Sequence, residues 1–232
     1  MVDPDGMAAE HIYELMKNGE IKKVKDTKDN YDVLYTSSQV SDAKRTLTGV
    51  NSLNEKDGLK ITDQSILNQL DSSGENRLVP NTHMAISSNN EEINTLFEYV
   101  SINSDVEFNM TTFKNNSDDS SFSTLKTDHN TGRVNVEFID NIMKNGNLSI
   151  TRDRHNHPGN FNAETNWPAY PSGFNNRLQR TIGGVSGTPR GDRGVRNKLE
   201  TNYPNRIPNY SEVYVPQTPF KNVLYNSKTV RR

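Results

Sequence analysis

Two histidines near the middle of the chain have a spacing that suits metal binding. His155 and His157 follow the segment 147–152, which alternates apolar and polar residues as a half-buried strand does. Side chains two residues apart in a strand point to the same side, so both imidazoles can bind one ion. Pro158 cannot donate to a β-ladder and predicts that the strand ends beside the pair. The alternative is two solvated loop histidines.

A carboxylate is the expected third ligand. The chain has no cysteine, and no histidine follows His157. The acidic residues that follow the pair are Glu164, Asp192, Glu200 and Glu212. Asp192 stands in a glycine-rich turn just before a helical pattern, where a carboxylate at a helix N-terminus is expected. Two histidines, one aspartate and an open position are typical of a catalytic zinc site, since structural sites are closed by four protein ligands.

These residues resemble the signature of the JAB/MPN (JAMM) metalloproteases. The resemblance is carried by His155-x-His157-Pro158, by Pro171-Ser172-Gly173 and by a later aspartate. It is strongest toward the JAB-like toxin domains at the C-termini of bacterial Rhs polymorphic toxins and covers roughly residues 85–225. Independently, the residues Val2–Met7 resemble the end of an Rhs-repeat core.

The resemblance implies a fold, a cofactor and a set of residue roles. The expected fold is α+β, a JAB/MPN-like mixed α/β sandwich with a small N-terminal β-hairpin unit. The expected cofactor is Zn²⁺, which lowers the pKa of a bound water while a carboxylate carries protons. The implied metal ligands are His155, His157 and Asp192, the implied acid/base is Glu107, and the implied oxyanion donor is Ser172.

Two positions leave alternatives within this resemblance. In the family an aspartate follows the serine by three residues, and this chain has Asn175 there. Either the loop has expanded and Asp192 is the ligand, or the site is degraded. The run 191–194 favours expansion because it is similar to the toxin subgroup. Glu137, which also lies on a predicted strand, is the reserve candidate for the acid/base.

Three segments are predicted along the chain. Residues 1–35 form an Rhs-core-end hairpin segment, in which Asn18-Gly19 separates two apolar runs as a hairpin turn does. Residues 36–84 form a polar linker with a short helix capped at Thr62-Asp63. Residues 85–232 form the JAB-like toxin domain. We expect the N-terminal hairpin to be dispensable for chemistry, because it carries no candidate site residue.

Periodicity predicts the elements that position the candidate residues. An apolar stripe with helical spacing predicts a helix after Asn89-Asn90, through Ile93, Leu96, Phe97 and Val100. Alternation predicts strands over 105–110, which contains Glu107, and over 133–139. A helix is predicted over 193–202, and strands over 212–215 and 222–225 close the sheet.

Composition limits the protein class. Hydrophobic residues make up 31% of the chain, which predicts a modest core with long loops. The absence of cysteine excludes disulfides and thiolate ligands. No apolar run has the length of a membrane span, and the acidic start lacks the features of a signal peptide. Export is therefore expected to depend on sequence outside this fragment.

Three functions stay open from the sequence. The first is a zinc-dependent peptidase or isopeptidase effector of interbacterial competition, delivered into target bacteria. Its expected partners are a protein substrate, a cognate immunity protein, and the parent Rhs protein with its type VI secretion apparatus; nucleic acid is not expected. The second is a metal-dependent nuclease, suggested by His-Asn-His and by the 11 basic against 4 acidic residues in 158–232. The third is a catalytically inactive binding module with the same fold.

Overall fold

The computed structural model describes residues 11–26, 30–71, 83–131, 137–158, 174–175, 180–181, 191–216, 218 and 221–231. These residues form a mixed α/β fold with two larger sheets, one two-stranded hairpin and five α-helices. The predicted α+β class is confirmed. None of the helices that can be described has the length and apolarity of a membrane span.

A four-stranded sheet forms the N-terminal part of the fold. Its strands are β1 His11–Leu15, β2 Ile21–Lys25, β3 Asp32–Thr36 and β4 Leu59–Ile61, in the order β2-β1-β3-β4. β1 and β2 form the predicted hairpin, and Gly19 in its turn has a φ of 79°, which glycine adopts without steric cost. β1 also pairs with β3 in parallel, so the hairpin belongs to a larger unit.

The segment predicted as a polar linker contains more structure than expected. It includes helix α1 Ser37–Lys44, the 3-10 helices Gly49–Ser52 and Glu55–Asp57, β4 and helix α2 Gln64–Leu70. Thr36 and Gln39 form a reciprocal capping box at the start of α1. Because the capping residues are polar, they make the composition of this short helix resemble that of a linker. The predicted short helix is α2, and Asp63 caps it.

A seven-stranded mixed sheet carries the candidate site. In chain order its strands are β5 His83–Ser87, β6 Phe108–Asn115, β7 Ser121–Thr127, β8 Leu148–Asn156, β11 Ser211–Val215, β12 Lys221–Tyr225 and β13 Val230–Arg231. The spatial order is β13-β12-β11-β8-β6-β7-β5, so the strand of the histidine pair is central. β9 Phe174–Asn175 and β10 Arg180–Thr181 pair only with each other among the described strands.

A β-bulge sets which side chains of β8 share a face. The register between β6 and β8 shifts at Thr112/Phe113, because Thr151 is an extra residue in β8. Beyond the bulge, Asp153, His155 and His157 alternate with Arg154 and Asn156. Arg154 lies over the Phe97 and Tyr214 rings, so its face is opposite to that of the histidines.

Three further helices pack on the sheet. They are α3 Asn90–Asn103, α4 Glu137–Asn145 and α5 Gly191–Asn202. α3 and α5 confirm the predicted helices, and the N-cap Asn89 accepts a hydrogen bond from the Glu92 backbone N–H. The strand predicted over 133–139 is wrong for its last residues, which begin α4. Ile139 and Met143 are buried one helical turn apart, and a short apolar run does not distinguish a helix from a strand.

One hydrophobic core joins the N-terminal sheet to the seven-stranded sheet. It contains Tyr13, Leu15, Ile21, Leu34 and Ile61 from the first sheet, side chains of α2 and α3, and Ala85, Phe108, Met110 and Leu125 from the second. The N-terminal segment therefore packs into the core of residues 85–232, whereas the sequence predicts a separate unit. The domain boundaries at 35 and 84 stay predictions.

Candidate metal centre

The end of β8 brings both histidines to one point. His155 lies in the strand and His157 directly follows it, so alternation places both imidazoles on the same face. Their Nε2 atoms are 3.1 Å apart. Both residues are buried, at 8% and 3% exposure, which excludes the alternative of two solvated loop histidines.

Asp192 reaches this point from the first turn of α5. Gly191 starts the helix with a φ of 58°, a conformation that favours glycine and that turns the chain into α5. The Oδ2 atom of Asp192 lies 3.4 Å from Nε2 of His155 and 3.2 Å from Nε2 of His157. The aspartate that the sequence favours therefore stands next to the histidine pair.

The three donor atoms fit a small divalent cation. They form a triangle with edges of 3.1, 3.2 and 3.4 Å. Tetrahedral zinc with bonds of about 2.0–2.1 Å separates its ligand atoms by about 3.3–3.4 Å, so the triangle has nearly the size of one face of that tetrahedron. His155, His157 and Asp192 are the group of metal-binding side chains found among the described residues. Among the described residues, two imidazoles and one carboxylate supply three of the four ligands of a tetrahedral zinc ion.

Opposite charges hold the centre together without a metal. Burial lowers the pKa of His155, but the carboxylates of Asp192, Glu107 and Asp153 together outweigh burial, with Asp192 contributing most, and the pKa is raised to about 9. Burial raises the pKa of Asp192, but the His155 and His157 imidazoles outweigh it, and the pKa lies well below its usual range. The metal-free centre therefore retains a proton that a metal ion would displace.

Glu107 lies beside the triad as a buried carboxyl. It directly precedes β6, two positions before Asn109, which pairs with His155. Its Oε1 atom is 3.9 Å from Nε2 of His157, and the residue is 6% exposed. Burial raises the pKa of Glu107, and the two imidazoles partly offset this effect. A carboxyl with a raised pKa next to a metal centre is suited to proton transfer.

Residues 85–197 match the family model described as JAB-like toxin 1. The match supports a JAB-like toxin domain. It begins in β5, ends within α5, and includes Glu107, both histidines and Asp192. No curated protein and no solved structure matches the chain. The match does not reach the first 35 residues, so their resemblance to an Rhs core stays a prediction.

The other candidate carboxylates among the described residues lie elsewhere. Glu200 accepts hydrogen bonds from Arg196 and Ser227, and Glu212 pairs with Arg154 on the opposite face of the sheet. Glu137, the reserve acid/base, is an exposed residue at the start of α4. These contacts leave Glu107 as the acid/base candidate at the centre.

Two predicted positions and one carboxylate cannot be compared with the structure at the side-chain level. Ser172, the implied oxyanion donor, and Glu164 lie outside the described residues. Asn175 lies in the two-residue strand β9, and only its backbone is described. The role of Ser172 therefore stays a prediction.

Sequence reasoning missed a buried carboxylate behind the centre. Asp153 lies on the same face of β8 as His155 and contributes to raising the pKa of that histidine. Its Oδ2 accepts a hydrogen bond of 2.6 Å from Ser211 of the parallel neighbour β11, and its Oδ1 accepts one of 3.2 Å from Asn109 of β6. The signal was available, because a residue two positions before His155 must share its face.

Proposed function

We propose that this protein is a toxin effector domain that acts as a zinc-dependent peptidase or isopeptidase. The observation that carries the proposal is the convergence of His155, His157 and Asp192 on one point, with the buried Glu107 carboxyl 3.9 Å from His157. The match to JAB-like toxins supports the toxin part. The donor set, which has no sulfur and leaves one position open, supports zinc in a catalytic setting.

Each candidate residue has a distinct task in this proposal. Zinc, when bound by the triad, supplies Lewis acidity that lowers the pKa of water and polarises a carbonyl. Glu107 takes a proton from the attacking water and delivers it to the departing amine nitrogen, so the carboxyl returns to its starting state. Burial raises the pKa of Glu107, so this carboxyl holds the accepted proton more readily than an exposed glutamate would. Ser172 donates a hydrogen bond to the developing oxyanion.

The positions of His-Asn-His weigh against the nuclease alternative. Asn156 alternates with the histidines along the chain, is 1% exposed, and uses both polar atoms of its amide on the protein backbone. It cannot contact a phosphate at the metal centre. The third donor, Asp192, comes from a helix that follows much later in the chain. The inactive-module alternative loses its main support, because Asp192 stands beside the histidines although Asn175 replaces the expected aspartate.

The biological setting is proposed from the toxin resemblance. We propose export as part of an Rhs-type effector through a type VI apparatus, action on a protein inside the target bacterium, and neutralisation by an immunity protein in the producing cell. The match to a toxin family supports a secreted effector.

One experiment tests the proposed reaction. The purified chain, loaded with zinc, is incubated with a bacterial peptide library, and new N-termini are counted by amine labelling; plasmid DNA and total RNA are incubated in parallel. We expect new N-termini that disappear with EDTA and with Glu107→Gln, and persist with Glu91→Gln at an exposed position of α3. Degradation of nucleic acid without new N-termini would replace the peptidase with the nuclease.

A further inference from the structure

Asn156, between the two histidines, binds the backbone on both sides of Glu107. Its Nδ2 donates a hydrogen bond of 3.1 Å to the carbonyl oxygen of Val106. Its Oδ1 accepts a hydrogen bond of 2.6 Å from the backbone N–H of Phe108. Both polar atoms of one buried amide are therefore used on the residues that flank Glu107.

The two hydrogen bonds of the Asn156 side chain replace backbone pairing between β6 and β8 at the point where that pairing ends. The ladder between β6 and β8 ends at Asn109 and His155, so the backbone of 106–108 has no backbone partner in β8. The side chain of Asn156 supplies one donor and one acceptor there, as a paired strand would. Leaving a buried backbone amide without a hydrogen-bond partner destabilises the fold, so the bonds from Asn156 stabilise this strand end.

The other side of the same segment is held by β7 and the loop after it. The Glu107 N–H donates to the Asn130 carbonyl at 2.8 Å, and the Glu107 carbonyl accepts from Thr127 Oγ1 at 2.8 Å. With Asn156 on the β8 side, the backbone of Glu107 is fixed from both directions. On this backbone the Glu107 side chain extends toward His157, with Oε1 3.9 Å from Nε2.

We propose that Asn156 is the positioning residue that fixes the Glu107 carboxyl relative to the metal centre. The inference rests on the proposed function and deepens it: in the run His155-Asn156-His157 the two histidines supply metal ligands, and the asparagine between them aligns the acid/base. A shift of the end of β8 that moves the two histidines also moves Glu107. The distance between the metal ligands and the acid/base is thereby maintained.

Only an amide of this length meets the geometry. Aspartate would turn a second acceptor toward the Val106 carbonyl, and alanine would remove both bonds. Glutamine is longer by a methylene, and serine offers a single hydroxyl. We therefore expect Asn156→Asp and Asn156→Ala to disturb the alignment of Glu107 while leaving the three metal ligands unchanged.

The test combines these variants with a double-mutant cycle. In the full chain, Asn156→Ala should retain zinc content while amide exchange of Phe108, followed by NMR, becomes faster. Cleavage of a library peptide that the parent cuts should slow on the order of tenfold to a hundredfold, the size expected of a small misplacement. In the Glu107→Gln background the same change should cost no further rate. Ser101→Ala removes a buried hydrogen bond in α3 and should leave the rate unchanged.

Other results would contradict the positioning role of Asn156, or would show that the proposed peptidase function fails independently of it. Equal rate losses in the parent and Glu107→Gln backgrounds, or unchanged Phe108 exchange, would overturn it. If Asn156→Ala does not fold, Asn156→Asp decides: a folded variant with the parental rate overturns the inference. If the parent cleaves nothing, the proposed function fails. A crystal structure of a folded Asn156 variant still tests whether Asn156 positions Glu107. An unchanged Glu107–His157 separation there overturns the positioning role, and a wider one supports it.

Discussion

The Oδ2 atom of Asp192 lies 3.2 Å from Nε2 of His157, so the first turn of α5 completes a triangle that β8 begins. Removing the Asp192 carboxylate should therefore remove most of the bound metal. We expect Asp192→Ala to lose most of the zinc measured by plasma emission after gel filtration, and His155→Ala/His157→Ala to lose nearly all. Asn175→Ala should retain parental zinc. A folded double-histidine variant with stoichiometric zinc would exclude the site.

Zinc affinity should rise with pH between about 7 and 9. Asp192 holds the pKa of His155 at about 9 in the metal-free protein, against the effect of burial, so zinc must displace a proton at neutral pH. Release of one proton strengthens binding by up to about tenfold per pH unit until the pH passes that pKa. Calorimetry in buffers of different ionisation enthalpy measures the released protons. Equal binding enthalpies in phosphate and Tris at pH 7 would contradict the prediction.

Glu107→Gln should separate binding from chemistry. We expect the variant to keep fold and zinc and to lose about 10²–10⁴-fold in cleavage rate, because an amide cannot carry a proton between water and amine. Expression in a bacterium without the immunity protein should likewise become harmless. Glu137→Gln, at the exposed start of α4, should remain toxic. If Glu107→Gln stays toxic while His157→Ala does not, the metal matters and another group is the base.

The N-terminal sheet should be needed for stability. Leu34 is fully buried in the shared core, and Leu34→Ala should lower the free energy of unfolding by about 2–5 kcal/mol. Leu47→Ala, at a fully exposed position, should change it by at most about 0.5 kcal/mol. Urea unfolding followed by circular dichroism measures both changes in the free energy of unfolding. A chain starting at residue 61 should not fold, and a folded truncation that binds zinc would restore the separate-unit prediction.

Asp32 should make the protein less stable as the pH rises through about 4–6. Burial raises the pKa of this carboxyl to about 6, although His11 at 3.0 Å opposes the rise. In the unfolded chain the pKa is about 3.9, so the folded state binds more protons in this interval. The stability that protonated Asp32 contributes is fully present below the pKa of the unfolded chain. It is lost as the pH rises through the pKa of the folded protein. Urea unfolding at several pH values, with EDTA present, measures this dependence of the free energy of unfolding on pH. Asp32→Asn should remove the dependence, and Asp42→Asn should retain it.

The parts of the site that depend on local pattern could be predicted from the sequence. The spacing of His155 and His157 fixes their common face, and the turn before Asp192 predicts a helix start. The apolar stripe of α3 needs no tertiary information either. Each of these features is encoded within one or two turns of chain.

The remaining features depend on contacts between distant segments. The exposed start of α4 at Glu137 and the capped helix α1 have patterns that also fit a strand or a linker, and packing decides between them. Burial of Glu107 against His157 requires β6 and β8 to be neighbours. The bonds of Asn156 depend on where their ladder ends, which no sequence pattern states.

The extra residue Thr151 has a consequence for how sequences of this kind can vary. Ile150 and His155 share a face only because the bulge absorbs one position; an uninterrupted strand would place them on opposite faces. Loss of Thr151 would straighten β8 and leave the imidazoles where they are. Loss of Arg154 would instead turn both histidines toward α3 or shift the strand. Length changes in this strand should therefore accumulate at the bulge, and alignments with related chains should place their gaps there.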